Sequence, residues 1–215
     1  ADVLGLAEDK IHLVHVPGAG CYGHNGADDV ALDAALTARA VPGRPIMLKW
    51  ERVDEHAWEP FGSAMQIELK ASLGDKGRVI FWNHETYSDT HMSRPSVHRE
   101  NSRLLAAWHL QTPRPAPPVK PSLGYHTGIH RNADPIYDFS DRRVVKHLVR
   151  DLPLRVSALR SLGAYANVFA IESFMDELTH AIGCRLYTYP SPRDFSTSRM
   201  PSSGSTKKTH TRTPT

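Results

Sequence analysis

Three observations predict an α+β fold: a strand-like run that enters a glycine-rich loop and an alanine-rich helix, a hairpin signal at residues 74–77, and a later helix carrying one apolar stripe. The chain has 215 residues, of which 40% are hydrophobic and 23% charged. That content supports a core in one domain or two small ones, and it argues against wholesale disorder or a short disulfide-stapled scaffold. The two cysteines, Cys21 and Cys184, have no CxxC partner. A zinc finger, a thioredoxin-type motif and a cysteine-ligated iron–sulfur cluster within this chain are thereby excluded.

Ile11 to Val16 (IHLVHV) alternates apolar and polar residues and ends at Pro17-Gly18, so it reads as a strand. The loop GAGCYGHNG follows. Asp28 and Asp29 then suit the positive end of a helix dipole, and Val30 to Ala40 is a good helix former that stops at Pro42-Gly43. Residues 46–52 (IMLKWER) read as a second strand. AMQIELKASL (64–73) and RVIFWNHETYS (78–88) flank Gly74-Asp75-Lys76-Gly77, a hairpin pattern. From 89 to about 150 the pattern weakens, and five prolines between Pro113 and Pro121 fix an extended backbone, read as a rigid surface loop. Val168, Ile171, Phe174 or Met175, and Leu178 recur at helical spacing and predict a helix over about 164–181.

After Gly183 the periodicity stops. Residues 190–215 hold twelve Ser/Thr, four Pro and five Lys/Arg against one acid, Asp194. The formal charge of +3 therefore divides into a body near −1 and a tail of +4. Such a tail has too little apolar area to offset chain entropy, and 184–215 is expected to be a disordered basic terminus. Its charges are spread out without aromatic interleaving, which argues against nucleic acid as a partner. The N-terminal residues show no basic n-region before an apolar core, and no window reaches the roughly 20 apolar residues of a membrane span. A cytoplasmic location is expected, with the periplasm as the alternative.

A glycine-rich loop between strand and helix presents backbone N–H groups and a positive dipole end, which suits an oxyanion or phosphate. GAGCYG satisfies GxGxxG, but His24-Asn25-Gly26 intervenes before the helix, and Val41-Pro42-Gly43 stands where an acidic ribose ligand would end a second strand. Dinucleotide binding is disfavoured on both counts. A Walker A loop is absent, since no GKS or GKT occurs.

The longer run GAGCYGHNGADDVALDAALTARAVPGRPIMLKWERVDEHAWEPFGSAM and the later LPLRVSALRSLGAYANVFAIESFMDEL together resemble the molybdopterin-binding large subunit of the xanthine dehydrogenase and aldehyde oxidase family. They are most similar to its bacterial two-subunit branch, which includes nicotinate dehydrogenase and isoquinoline 1-oxidoreductase. The resemblance covers about residues 10–183, a minority of a complete family subunit. It implies that residues 1–183 form part of a molybdopterin-binding domain.

In the family a Gly-Gly-Phe-Gly-type loop approaches the metal with backbone amides. The resemblance carries that role to Gly20, Cys21, Tyr22 and Gly23, with Tyr22 as the aromatic. A second family turn, of Ala-Phe-Arg-Gly-Phe-Gly type, matches Ala158-Leu159-Arg160-Ser161-Leu162-Gly163. This implies cofactor contacts from Ala158 and Arg160 and a substrate-lining role for Leu162. Purine-oxidising members have an acidic residue where this chain has Gly26 and a stacking phenylalanine where it has Leu162. N-heteroaromatic compounds or aldehydes are therefore the implied substrates.

The implied cofactor is a molybdenum cofactor, molybdopterin alone or in a dinucleotide form, and the implied partner is an iron–sulfur small subunit that receives electrons. The implied reaction hydroxylates carbon with oxygen from water, assisted by a glutamate base. In the family that glutamate lies far toward the C-terminal end, and residues 184–215 contain no Gly-x-Gly-Glu segment. No catalytic residue and no protein metal ligand is expected in this chain, which reads as a truncated or frameshifted piece inactive alone. The competing reading is a non-catalytic interaction protein using the proline-rich loop and basic tail.

Other residues invite attention. His84, His91 and His98 recur seven apart, which could gather imidazoles on a helix, but strand-like sequence and Arg94-Pro95 interrupt the spacing, and surface histidines are expected. His24 could support the first loop. Cys21 reads as a small buried residue, with a reactive thiol as the alternative. Glu51, Asp54, Glu55 and Glu59 read as a solvated turn.

Overall fold

The computed structural model describes residues 1–18, 20, 22–23, 27–91 and 102–183. Helix α1 spans Ala27–Ala40, α2 Arg52–Trp58, α3 Leu105–Trp108 and α4 Ala164–Ala181. Strands β1 (Met65–Leu73), β2 (Val79–Ser88) and β3 (Arg142–Leu148) form a sheet of order β1-β2-β3. The class is α+β, as expected.

The predicted hairpin forms. β1 and β2 pair antiparallel from Met65↔Ser88 to Ala71↔Trp82, with an irregularity between Ser72 and Leu73. Gly74 N–H donates to the Arg78 carbonyl at 2.9 Å, and Gly77 takes φ +70, a left-handed turn conformation that glycine adopts without steric cost. β3 has no counterpart among the predicted elements. It pairs parallel to β2, from Trp82↔Arg142 to Ser88↔Leu148, after a long connection. The run RRVVKHL lies at a sheet edge, so only part of it is covered and its apolar signal is weak.

Helix α4 has the predicted bounds, and it covers one face of the sheet. Ile171 and Met175 pack with Trp82 and Val79, joined by Tyr137 and Phe139 from the segment before β3. Trp82 stacks on Phe139 at 4.9 Å and meets Phe174 at 5.5 Å between ring centroids. Val168 lies outside this stripe and is exposed; Asn167 and Thr179 are buried with Ile171 and Met175 instead.

Two predicted strands are absent. Residues 11–16 run without regular structure, and Leu13, Val14 and Val16 are exposed. Alternation makes a strand only where a neighbour completes its hydrogen bonds, and none of the described residues pairs with this run. Residues 46–51 are likewise irregular, and α2 begins at Arg52. There the local chemistry of a helix start prevails: Glu51 N–H donates to the Asp54 carboxylate at 2.9 Å. The cluster read as a solvated turn thus belongs mainly to a helix, with Glu51 and Glu59 at its two caps.

The proline-rich loop has no regular structure from 113 to 121. Its backbone is pinned rather than free: Ser102 N–H donates to Pro115 O at 3.1 Å, Arg103 Nη2 to Pro117 O at 3.1 Å, and Arg114 N–H to Ala107 O at 2.9 Å. That agrees with a surface loop integrated into the fold. The tail at 184–215 lies outside the described residues. No helix among the described residues is long and apolar enough to cross a membrane.

Candidate functional site

Gly20, Tyr22 and Gly23 stand just before α1; Cys21 and His24 lie outside the described residues. The Tyr22 ring folds back over Gly20, so that a Cβ on Gly20 would sit 2.9 Å from the Tyr22 hydroxyl. Gly23 has φ +104, and a Cβ there would sit 2.6 Å from both the Arg160 nitrogen and the Leu159 Cα. Two constraints therefore demand glycine: a conformation side chains rarely adopt, and a backbone-to-backbone approach that a methyl group would block.

The group that approaches is the second motif. Gly23 and Leu159 form an isolated antiparallel bridge, and Arg160 N–H donates to Tyr22 O at 3.0 Å. The Arg160 guanidinium lies 5.5 Å from the Tyr22 ring centroid, within cation–π range. Arg160 is exposed, Tyr22 is 65% exposed, and Ala158 and Leu162 are half-buried. The fold thus brings together Tyr22, Gly23 and Arg160, residues far apart in the chain that the two sequence motifs assign to one site.

Beneath this contact the second loop is tightly held. Phe61 N–H donates to Arg155 O and Ser157 N–H to Phe61 O, both at 2.9 Å. The chain then turns sharply, with Ser161 at φ +73 and Leu162 at φ +53, left-handed positions that are costly for residues with a Cβ. Leu162 N–H closes the turn on Leu159 O at 3.1 Å. Gly163 follows, where a Cβ would lie 2.4 Å from Ile129 O. Its N–H donates to Gly128 O at 3.2 Å.

Sequence reading misses two braces. The first is an ion pair: Arg155 Nη1 donates to Asp29 Oδ1 at 3.1 Å and Oδ2 at 2.9 Å, while Nη2 donates to Trp58 O. Asp29 Oδ1 also accepts from Leu105 N–H at 2.9 Å. The helix dipole accounts for Asp29 in the sequence and nothing there singles out Arg155, because a sequence signals a charge but not the burial that makes it a structural partner. The second brace is Asn167, whose amide donates to Ile129 O at 2.7 Å and Arg131 O at 3.0 Å. It fixes the turn that receives Gly163 N–H.

The histidines require a correction, since His84 and His91 are buried, not on the surface; His98 lies outside the described residues. Thr86 Oγ1 donates to Asn167 Oδ1 at 3.0 Å, so its oxygen can accept from His84 Nε2 at 2.9 Å. Nδ1 of His84 is buried without a partner among the described residues. The neutral ring fits this arrangement, and burial lowers the pKa of His84, opposed by its bond to Asn167. Ser88 Oγ gives its proton to Ala64 O at 2.7 Å, leaving the oxygen to accept from His91 Nε2 at 2.9 Å. Burial lowers the pKa of His91 to about 4. Among the described residues, no group of three His, Cys, Asp or Glu side chains could hold a metal ion. What the described residues of the two loops place together is a guanidinium and an aromatic ring, and the guanidinium suits an anionic oxygen.

Comparison with known proteins bears on that pair. A nicotinate dehydrogenase subunit of Pseudomonas putida is 35% identical over 181 residues, 84% of this chain and 14% of that protein. The beta subunit of isoquinoline 1-oxidoreductase from Brevundimonas diminuta is 29% identical over 96 residues, 44% of this chain and 12% of that protein. The chain therefore spans about one seventh or less of the length of these relatives. No family model matches, and no solved structure matches. The first match runs through most of the chain, and the two relatives bear the names reached from the glycine-loop and Arg160 motifs. By this homology the chain belongs to the xanthine dehydrogenase and aldehyde oxidase family, as the counterpart of one segment of a family subunit.

Proposed function

We propose that residues 1–183 are a cofactor-contacting part of the molybdopterin-binding domain of a molybdenum hydroxylase, acting on N-heteroaromatic compounds or aldehydes with oxygen from water. The observation that carries this reading is the Gly23–Leu159 bridge with its Arg160-to-Tyr22 hydrogen bond. It joins the two segments that the family uses at its cofactor.

When bound, the cofactor would supply the redox chemistry, taking two electrons from the substrate. The chain's own residues would bind and orient. Arg160, an exposed cation beside an aromatic ring, would pair with an anionic oxygen of the cofactor. Gly20, Tyr22 and Gly23 would bring backbone close to it, in a loop whose glycines leave no room for a side chain against Tyr22 or the second loop, and the motif gives Cys21, outside the described residues, the same role. Ala158 would line the same face, and Leu162 would present an apolar side chain toward substrate. The general base would be a glutamate for which residues 184–215 offer no Gly-x-Gly-Glu setting. On this reading the isolated chain binds without turning over, and an iron–sulfur subunit takes the electrons in the assembled enzyme.

The test is co-expression with the small subunit of a family enzyme, followed by metal and pterin analysis of the purified chain. Molybdenum and pterin near stoichiometric amounts support the reading; a folded chain with neither overturns it. In a family-length relative, replacing the arginine equivalent to Arg160 by alanine should lower kcat/KM by at least about tenfold, as expected for loss of a charge-assisted contact.

A further inference from the structure

Among the described residues the Gly23–Leu159 bridge joins the first loop to the second, and both loops emerge from elements joined by a buried ion pair. Asp29 lies in the first turn of α1, directly after the first loop, and Arg155 lies four residues before Leu159. Their side chains are 3% and 16% exposed. The pairing is forked at the carboxylate, and Arg155 also donates to the Trp58 and Arg103 carbonyls. Asp29 meanwhile receives Leu105 N–H. Each charge is thus satisfied from several elements, which is the condition under which a buried pair specifies geometry.

We infer that the Asp29–Arg155 pair is a positioning clamp, which sets the register of the Gly23–Leu159 bridge and so holds the Tyr22 and Arg160 side chains against each other before any ligand arrives. The second loop is also held from beneath, by the Phe61 backbone bonds and by Gly163 N–H on Gly128 O, but those bonds tie it to Phe61 and Gly128 and not to the first loop. Tyr22 is mostly exposed, Arg160 is exposed, and the hydrophobic core of α4 and the sheet includes no residue of either loop. Ser161 and Leu162 carry left-handed strain that relaxes if the turn opens. Removing one partner would leave the other charge buried and unpaired, and the segments would separate to let water reach it.

This inference rests on the cofactor reading only for what the clamp serves. It is tested on the ligand-free full chain, so its failure and failure of molybdenum retention are separate results. The measurement is amide hydrogen exchange, residue by residue, at Arg160, whose N–H is bonded to Tyr22 O, with Trp82, whose N–H is bonded to Asp141 O, as the reference in the core. Asp29→Asn keeps an oxygen for Leu105 N–H but removes the charge. Exchange at Arg160 should then accelerate on the order of a hundredfold, with the Trp82 amide within about twofold of the parent. Arg155→Lys, which keeps the charge and loses the fork, should accelerate Arg160 by about tenfold, and Asp29→Glu should restore part of the protection. Equal acceleration at both amides would make the pair a general stabiliser, and no acceleration would mean that the loops meet without it; either overturns the clamp. If Asp29→Asn does not fold, the Arg155→Lys ratio decides by the same criterion.

Discussion

Trp82 and Met175 are wholly buried where α4 crosses the sheet, among stacked rings and aliphatic side chains. At the two-loop contact, Tyr22 and Arg160 stand in solvent, and among the described residues the attachment includes a backbone bridge, the Arg160-to-Tyr22 hydrogen bond and a charge pair underneath. The first region draws its stability from apolar area removed from water, which tolerates variation in detail. The second depends on particular residues that permit close approach: a glycine at φ +104, a second glycine against a carbonyl, and a forked guanidinium. Polar groups that stay exposed cannot be held by the first strategy.

That contrast can be broken most forcefully at Met175. Met175→Ala removes a fully buried side chain from the contact with Trp82 and should cost about 2–5 kcal/mol, read as a lower midpoint in chemical denaturation with the slope unchanged. The loss should appear at every amide that exchanges by global unfolding. A loss confined to α4 would mean that helix and sheet are not one cooperative unit.

Acid acts elsewhere along the sheet, at His84 on β2 and at His91 just after it. His84 and His91 both have pKa values lowered by burial in the folded chain, His91 to about 4. Unfolded histidine takes up its proton near pH 6.5, so between that value and the folded pKa the unfolded state binds more protons. Stability conferred by the neutral rings is therefore complete above about pH 6.5 and is lost as pH falls, with the His91 share exhausted near pH 4. The His91 contribution is at most about 3 kcal/mol. Denaturation midpoints at pH 7 and pH 5 should differ accordingly, and replacing His91 by Gln should flatten the profile.

Gly23→Ala moves the attack to the loops. The substitution forces a methyl group to within 2.6 Å of the second loop's backbone at a φ of +104. The bridge must open, at a cost of about 1–3 kcal/mol to the local structure. Exchange at Arg160 should accelerate while the denaturation midpoint shifts far less than for Met175→Ala. Equal shifts in the two variants would erase the distinction between the regions.

How far the sequence reveals each region follows from the same contrast. The hairpin, α1 and α4 are legible because periodicity, a four-residue turn and Pro-Gly stops are local signals. The run at 11–16 misleads because alternation reports what a segment can do beside a neighbour, not whether one is there. β3 escapes because a parallel edge strand depends on a distant partner. Within the site, the two motifs are visible as motifs, and their meeting requires the fold. Asp29 and Arg155 cannot be linked from spacing, since nothing in a sequence marks which of many charges is buried.

The finest distinction is between backbone and side chains at the contact itself. If the Arg160 guanidinium is held by the Tyr22 ring, 5.5 Å away, the pair contributes about 0.5–1 kcal/mol, toward the low end because both residues are exposed. A double-mutant cycle separates this from the backbone bond. Tyr22→Leu and Arg160→Met each keep the bridge, the Arg160→Met chain retaining its amide donor, and neither adds a group that must be desolvated. The coupling energy, read from local opening by hydrogen exchange at position 160, should fall in that range and persist at moderate salt, since the ring carries no charge to be screened. A coupling near zero would show that the ring and the guanidinium are neighbours only, with the loops registered entirely by backbone and by the ion pair below. In that case Arg160 is not held by the ring, and on the proposed cofactor reading Tyr22→Leu should leave molybdenum retention unchanged.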